Sequence, residues 1–352
     1  MRTATFPTLL IVTVSLAACA APSTRQSGLD PELVRVEEER QKQLALKKDY
    51  EYSQRLQRVS WPILRDASQL CEGNLAPRFG FQFDSVHSYS KEYQTAAAAV
   101  LKLSNSVSVV SVAPGSPADI AGIKFGDAVL TINDNAITGG KEGVKRAQRI
   151  IAKALEKSPE LKLTLSRKGE VIPVDITGQS MCRFSALLMS TDVVNAYADG
   201  NAIYVTSGMM RFAADDNQLA VVVAHELAHN SQEHIKAKTS NYLLGSIFDV
   251  AAAVYGVNTQ GAFGGAASRA YSQAFEAEAD YVGMYALALA DVDYSMAADF
   301  WREMGIQNPG SIAKSYASSH PSTAERYISL ENTAAEIDLK RSQGAALNPE
   351  KK

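Results

Sequence analysis

The sequence predicts an α+β fold: a mainly helical protein with a small sheet, into which a β-rich unit is inserted. Three stretches carry this. Residues 30–76 are dense in Glu, Lys, Arg, Gln and Leu, a helix-forming composition. Residues 107–177 set short apolar runs between Gly, Pro and Asn-Asp turn signals. The apolar run Leu219–Ala224 then enters "HELAH" with no turn residue between, as one buried helix would.

A chain of 352 residues suits two or three domains, and a 46% hydrophobic content supplies more than one core. The net charge is −3 and the folded part has no basic block, which excludes nucleic acid as the main partner.

Taken in order, Arg2 precedes the apolar run "LLIVTVSLAACA", too short to span a membrane with its own flanks. Residues 1–18 therefore read as an export signal. "LAAC", Leu16–Cys19, resembles the bacterial lipobox. That resemblance implies cleavage before Cys19, lipidation of Cys19 and a membrane partner through the lipid anchor. With Ala20 rather than aspartate next, it implies an outer-membrane lipoprotein facing the periplasm. A plain secretory signal cut at an A-x-A site is the alternative, and either one exports the chain. Residues 19–29 are a polar tether.

Residues 30–76 are expected to form an N-terminal helical segment packing on the last domain, residues 180–335. Asp30-Pro31 suits a helix start. Glu37–Arg40 reads as a solvated face, with a partner-docking helix as the alternative. Trp61-Pro62 is expected to break or kink the helix.

Residues 77–179 contain "VSVVSVAPGSPADIAGIKFGDAVLTINDNAIT", Val107–Thr138: strand, turn, short helix, turn, strand. Ser116-Pro117 opens the short helix and Gly122 ends it. Lys141–Leu155 has helical spacing, and "LKLTLSRKGEVIPVDIT" is a hairpin through Lys168-Gly169. The motif and the element order resemble the PDZ domain of exported bacterial proteases. Such domains bind polypeptide ends by adding a strand to a sheet edge. The resemblance implies a groove between an edge strand and the helix Lys141–Leu155, with "RFGF", Arg78–Phe81, as carboxylate loop. A spacer that binds nothing is the alternative.

In residues 180–335, Asp215-Asp216 cap the helix that carries His225, Glu226 and His229. Histidines four apart project from one helical face and can hold one zinc ion, while the intervening glutamate reaches a water on the metal. "FEAEADYVG", Phe275–Gly283, offers Glu276 as third ligand. Asp280, one turn on, can accept the outer N–H of a ligand imidazole. Glu278 points elsewhere and reads as solvated or salt-bridged. His234 falls on the opposite helical face and is left out of the metal shell.

"VNAYADGNAIYVTSGMM", "VVAHELAHN", "FEAEADYVG" and "HPSTAERY" occur in this order. Together they resemble the zinc metallopeptidase family of HtpX and the CAAX prenyl endopeptidase. The resemblance implies a zincin-type domain with one zinc per chain, His225, His229 and Glu276 as ligands and Glu226 as catalytic base. It implies protein or peptide substrates, and with the periplasmic address it suits misfolded or mislocalised envelope proteins. A chaperone-like or scaffold lipoprotein with a closed zinc site is the rival. Strand Ala202–Thr206 is expected beside the cleft, as an edge strand holding substrate or as ordinary sheet core. His320 lies in a loop that the resemblance places near the site, where it plugs the metal, stabilises the oxyanion or only orders the loop. Cys71 and Cys182 bracket the inserted unit, and an oxidising periplasm favours a disulfide between them. Residues 336–352 are expected to be a C-terminal tail.

Overall fold

The computed structural model describes residue 24 and residues 28–237, 239–240, 272–307 and 323–351. Residues 1–18, expected as an export signal, and Cys19 and His320 lie outside the described residues.

Helix α1 (Pro31–Asp66) starts with Asp30 accepting from the Glu32 amide at 2.8 Å. Glu37, Glu38 and Arg40 are exposed. The expected break at Trp61-Pro62 does not occur, and the helix runs on to Asp66. An interior proline costs about 3 kcal/mol. Trp61, Ile63 and Leu64 are buried in the main core around it, and each large side chain so buried contributes about 1.5–3 kcal/mol. Packing wins over the lost hydrogen bond. Further towards its start, α1 packs Leu46 against Ala96, Ala97 and Leu101, the last three on helix α2 (Gln94–Leu101).

The inserted unit is entered and left through one ribbon. Strand β1 (Leu75–Arg78) pairs antiparallel with β8 (Gln179–Cys182), Leu75 opposite Cys182. A disulfide joins Cys71 to Cys182 at its base. It closes a loop with a sequence separation of 111, for which the chain-entropy picture gives about 4–5 kcal/mol and native disulfides typically about 2–4 kcal/mol. The Cys71→Ala/Cys182→Ala chain is therefore expected to lose about 2–4 kcal/mol in urea unfolding. An unchanged midpoint, or two free thiols in denatured unreduced protein, would contradict this.

Beyond the ribbon lies an antiparallel sheet in the order β2 (Phe81–Asp84), β3 (Ser108–Val112), β4 (Ala128–Ile132), β6 (Glu160–Arg167), β7 (Glu170–Thr177), with β5 (Asn135–Ala136) on β4. Lys168 and Gly169 both take positive φ, as a two-residue hairpin turn requires. Ser116 caps α3 (Pro117–Ile120). Helix α4 (Gly143–Leu155) buries Ala147 into a core of Val107, Val109, Ile132, Leu161 and Leu163.

β2 ends the strand order, and "RFGF" leads into it. Arg78 precedes it at the end of β1. Its guanidinium donates to the Arg183 carbonyl at 2.8 Å and to Ser185 Oγ at 2.9 Å, which ties the loop to the following domain. Gly80 has φ +84°, and a Cβ there would lie 2.1 Å from that of Ser116. Its carbonyl accepts from Ala113 N and from Gln57 of α1.

The last domain holds a three-stranded sheet, β10 (Ala196–Ala198), β11 (Ala202–Thr206) and β9 (Ser185–Met189), in that order. β11 is therefore central, not an edge: β10 pairs with it antiparallel and β9 parallel. The core reading of Ala202–Thr206 holds, because "SALLM" supplies a second neighbouring strand. After α5 (Ser207–Phe212), helix α6 (Asp216–Ser231) buries every residue from Leu219 to Asn230. Helices α7 (Ser272–Leu289), α8 (Ala297–Gln307) and α9 (Ala324–Ser342) complete the described part. α7 comes close to α6 at Gly283, where a Cβ would sit 3.2 Å from the backbone of Ala224 and His225.

The tail expected from residue 336 is corrected. α9 runs through that point to Ser342, Ile337 is buried, and Arg341 donates to the Ala288 carbonyl at 2.7 Å. Apolar burial at Ile337 continues the helical stripe begun at Leu330 and Thr333.

Candidate metal centre

α6 is buried on all sides, so its polar residues must find partners within the protein. Asp215 caps it, accepting from the Gln218 amide at 2.9 Å. One turn apart near its end, His225 and His229 bring their Nε2 atoms within 3.1 Å of each other. Glu276 enters from α7, its oxygens 3.3 Å from His225 Nε2 and 3.4 Å from His229 Nε2. All three side chains are buried.

These atoms suit a zinc ion. Two imidazole nitrogens and one carboxylate oxygen are its usual donors, and ligands about 2.0–2.1 Å from a tetrahedral ion lie about 3.3–3.4 Å apart. The two Nε2 atoms lie 3.1 Å apart and each is within 3.4 Å of a Glu276 oxygen, Oε2 for His225 and Oε1 for His229, close to that spacing. Glu226 follows His225 on α6 and is buried at 1% exposure.

A second layer of residues fixes the first. Asp280 Oδ1 lies 2.9 Å from His225 Nδ1. Asp280 in turn accepts from Arg326 of α9, from Nε at 2.6 Å and from Nη2 at 2.8 Å. The Arg326 guanidinium lies 4.0 Å over the Trp301 ring of α8, and Trp301 also packs on His225. Three helices thus converge on one imidazole.

The electrostatics follow from this packing. Burial disfavours charge on His225, but the Asp280 and Glu276 carboxylates outweigh it and raise its pKa to about 9 in the metal-free protein. Burial also disfavours the charged form of Asp280, yet Arg326 and then His225 hold its carboxyl below the usual range. Metal must displace a proton from His225, so its uptake is favoured by rising pH.

The structure brings His225, His229 and Glu276 together with Asp280 behind them, and places Glu226 on the same helix. Two residues beside them are not legible in the sequence. Arg326 lies in the quoted "HPSTAERY", but nothing local pairs it with a carboxylate 46 residues away. His234 falls on the wrong face only if the helix is extended past its end. α6 stops at Ser231 and Glu233 takes φ +53°, which turns the chain back and puts His234 Nδ1 2.9 Å from His229 Nδ1.

A buried His-His-Glu centre on two helices, with a glutamate beside the first histidine, defines the class: an HExxH zinc metallopeptidase fold and site. The chain belongs to peptidase family M48, whose family model matches residues 159–334. A PDZ-domain model matches residues 77–177, and the two matches share the β6–β7 hairpin. The chain is 27% identical over 177 residues to the mitochondrial metalloendopeptidase OMA1 of Schizosaccharomyces pombe, covering 48% of this chain and 52% of that protein. It is 30% identical over 145 residues to the mitochondrial metalloendopeptidase OMA1 of Bos taurus, covering 37% and 28%. The chain thus spans about half or less of the curated relatives it matches. A crystal structure of the HtrA3 PDZ domain bound to a phage-derived ligand aligns with 30% of this chain and 88% of that one, at 17% identity and a TM-score of 0.22, too slight a likeness to argue from.

Proposed function

We propose that the protein is a zinc-dependent endopeptidase of the bacterial cell envelope that cleaves misfolded or mislocalised envelope proteins. The observation that carries the activity is the buried convergence of His225, His229 and Glu276. The relatives named as metalloendopeptidases support it.

Zinc held by these three residues would acidify water and polarise a carbonyl. The chain's own residues do the rest. Glu226 takes a proton from the attacking water and passes it to the leaving nitrogen. Asp280 holds His225 with its Nε2 turned towards His229 and Glu276, and Arg326 holds Asp280. β10 has a strand partner on one side only among the described residues and packs on α6. An extended substrate adds to that edge through main-chain hydrogen bonds. The PDZ domain captures polypeptide ends and raises their local concentration.

The envelope address rests on the lipobox-like "LAAC". A Cys19→Ser chain that still fractionates with membranes would count against it. The activity is tested on an unfolded protein such as casein. Chelation is expected to abolish cleavage and zinc to restore it. Protein that binds casein but never cleaves it, with zinc loaded, would instead support the chaperone-like alternative.

A further inference from the structure

Among the described residues, His234 is a buried imidazole near the centre that this mechanism leaves unused. Its side chain is 1% exposed. Its ring stacks on Phe275, the residue before the ligand Glu276, with centroids 4.7 Å apart and planes 20° apart. Its Nδ1 lies 2.9 Å from His229 Nδ1, and its Nε2 lies 3.0 Å from Glu278 Oε2.

We infer that Glu278 and His234 form a positioning chain that fixes the tautomer and ring orientation of His229, and so sets how tightly the site holds zinc. The argument is one of hydrogen counting. Between two Nδ1 atoms in hydrogen-bond contact, one carries hydrogen and the other accepts. His229 presents Nε2 to His225 and Glu276, so Nε2 must keep its lone pair for the metal. His229 Nδ1 then carries the hydrogen and His234 Nδ1 accepts it. The hydrogen on His234 therefore sits on Nε2, where it donates to the Glu278 carboxylate. The reverse arrangement puts hydrogen on His229 Nε2 and closes the ligand position.

The two ligand histidines are thus backed differently. His225 reaches its carboxylate, Asp280, directly. His229 reaches Glu278 only through a second imidazole. Both carboxylates come from α7, which also supplies Glu276. Glu278 is half exposed, so the chain runs from the buried centre to the surface.

The inference rests on the zinc-peptidase reading, and the test separates the two. Zinc affinity of the full chain is measured by competition with a chromophoric chelator, alongside thermal melting of the metal-free protein and kcat at saturating zinc. His234→Phe keeps a ring to stack on Phe275 but removes the acceptor, and is expected to weaken zinc binding about 10–100-fold. His234→Asn puts an amide oxygen close to the place of Nδ1, and is expected to restore most of that loss. Glu278→Ala is expected to weaken binding less than His234→Phe. Glu278→Gln, which still accepts from His234, is expected to stay near the parent.

Parent-like zinc affinity in His234→Phe overturns the inference and leaves the zinc site standing. Equal losses in the Phe and Asn chains, matched by equal losses in metal-free melting, assign His234 to packing and also overturn it. If His234→Phe does not fold, the Glu278 pair decides: equal affinity in the Ala and Gln chains overturns the chain of bonds. A parent that binds no zinc, like a His229→Ala control, overturns the site itself and the inference with it.

Discussion

Glu226→Gln is expected to bind zinc as tightly as the parent and to cleave casein about 10²–10⁴-fold more slowly, the range for losing a general base. That is about 2.7–5.5 kcal/mol of transition-state stabilisation. The substitution keeps the size of the side chain and its place on α6, between buried neighbours. An amide can neither take the proton from water nor deliver it to the leaving nitrogen. His225, His229 and Glu276 are untouched, so metal content should stay at one zinc per chain. Metal analysis and kcat on the same preparation check both halves. Turnover within tenfold of the parent would remove Glu226 from the role of base. Loss of zinc with loss of turnover would make it a structural residue of the centre.

Legibility in the sequence tracks the range of the interactions. His225 and His229 are legible because one helix fixes residues four apart on one face. Glu276 and Asp280 are legible for the same reason on α7. The hairpin at Lys168-Gly169 is legible because a two-residue turn demands positive φ there. Sequence misleads where another element decides. Pro62 breaks a helix in isolation, but here the surrounding burial of Trp61, Ile63 and Leu64 carries the helix on past it to Asp66. Ala202–Thr206 gives no sign of which strands flank it, and β9 removes one of its edges. His234 is displaced by a single left-handed residue, Glu233, which no helical wheel anticipates.

Arg326→Met is expected to destabilise the metal-free protein by up to about 3–5 kcal/mol, because it removes one of the two cations, protonated His225 being the other, that hold the buried Asp280 carboxylate. Arg326 and Asp280 are both nearly inaccessible, at 5% and 3% side-chain exposure, so solvent does not screen the pair. Its Nε and Nη2 each donate to one oxygen of the carboxylate, and the same group lies over Trp301. Methionine fills part of the volume and keeps contact with the ring, which directs the loss to the charge. The pH dependence has a definite sign. Asp280 has a folded pKa below its ordinary 3.8. Its contribution is full above that value and is lost as pH falls through the depressed one. Without Arg326 the folded pKa rises, so the acid unfolding limb should move to higher pH. His225 acts at the other end: its contribution is full below 6.5 and is lost as pH rises through about 9, clear of the acid limb. Arg326→Lys keeps a charge but not the bidentate contact, and should recover part of the loss. Urea unfolding of metal-free protein between about pH 3 and 7 reads all of this, since bound zinc would add its own stabilisation. An Arg326→Met chain with the parent's midpoint and acid limb would mean that the pair does not hold the centre together. A chain that instead keeps its fold but binds zinc about 10–100-fold more weakly would show the pair acting on the metal through His225 rather than on stability.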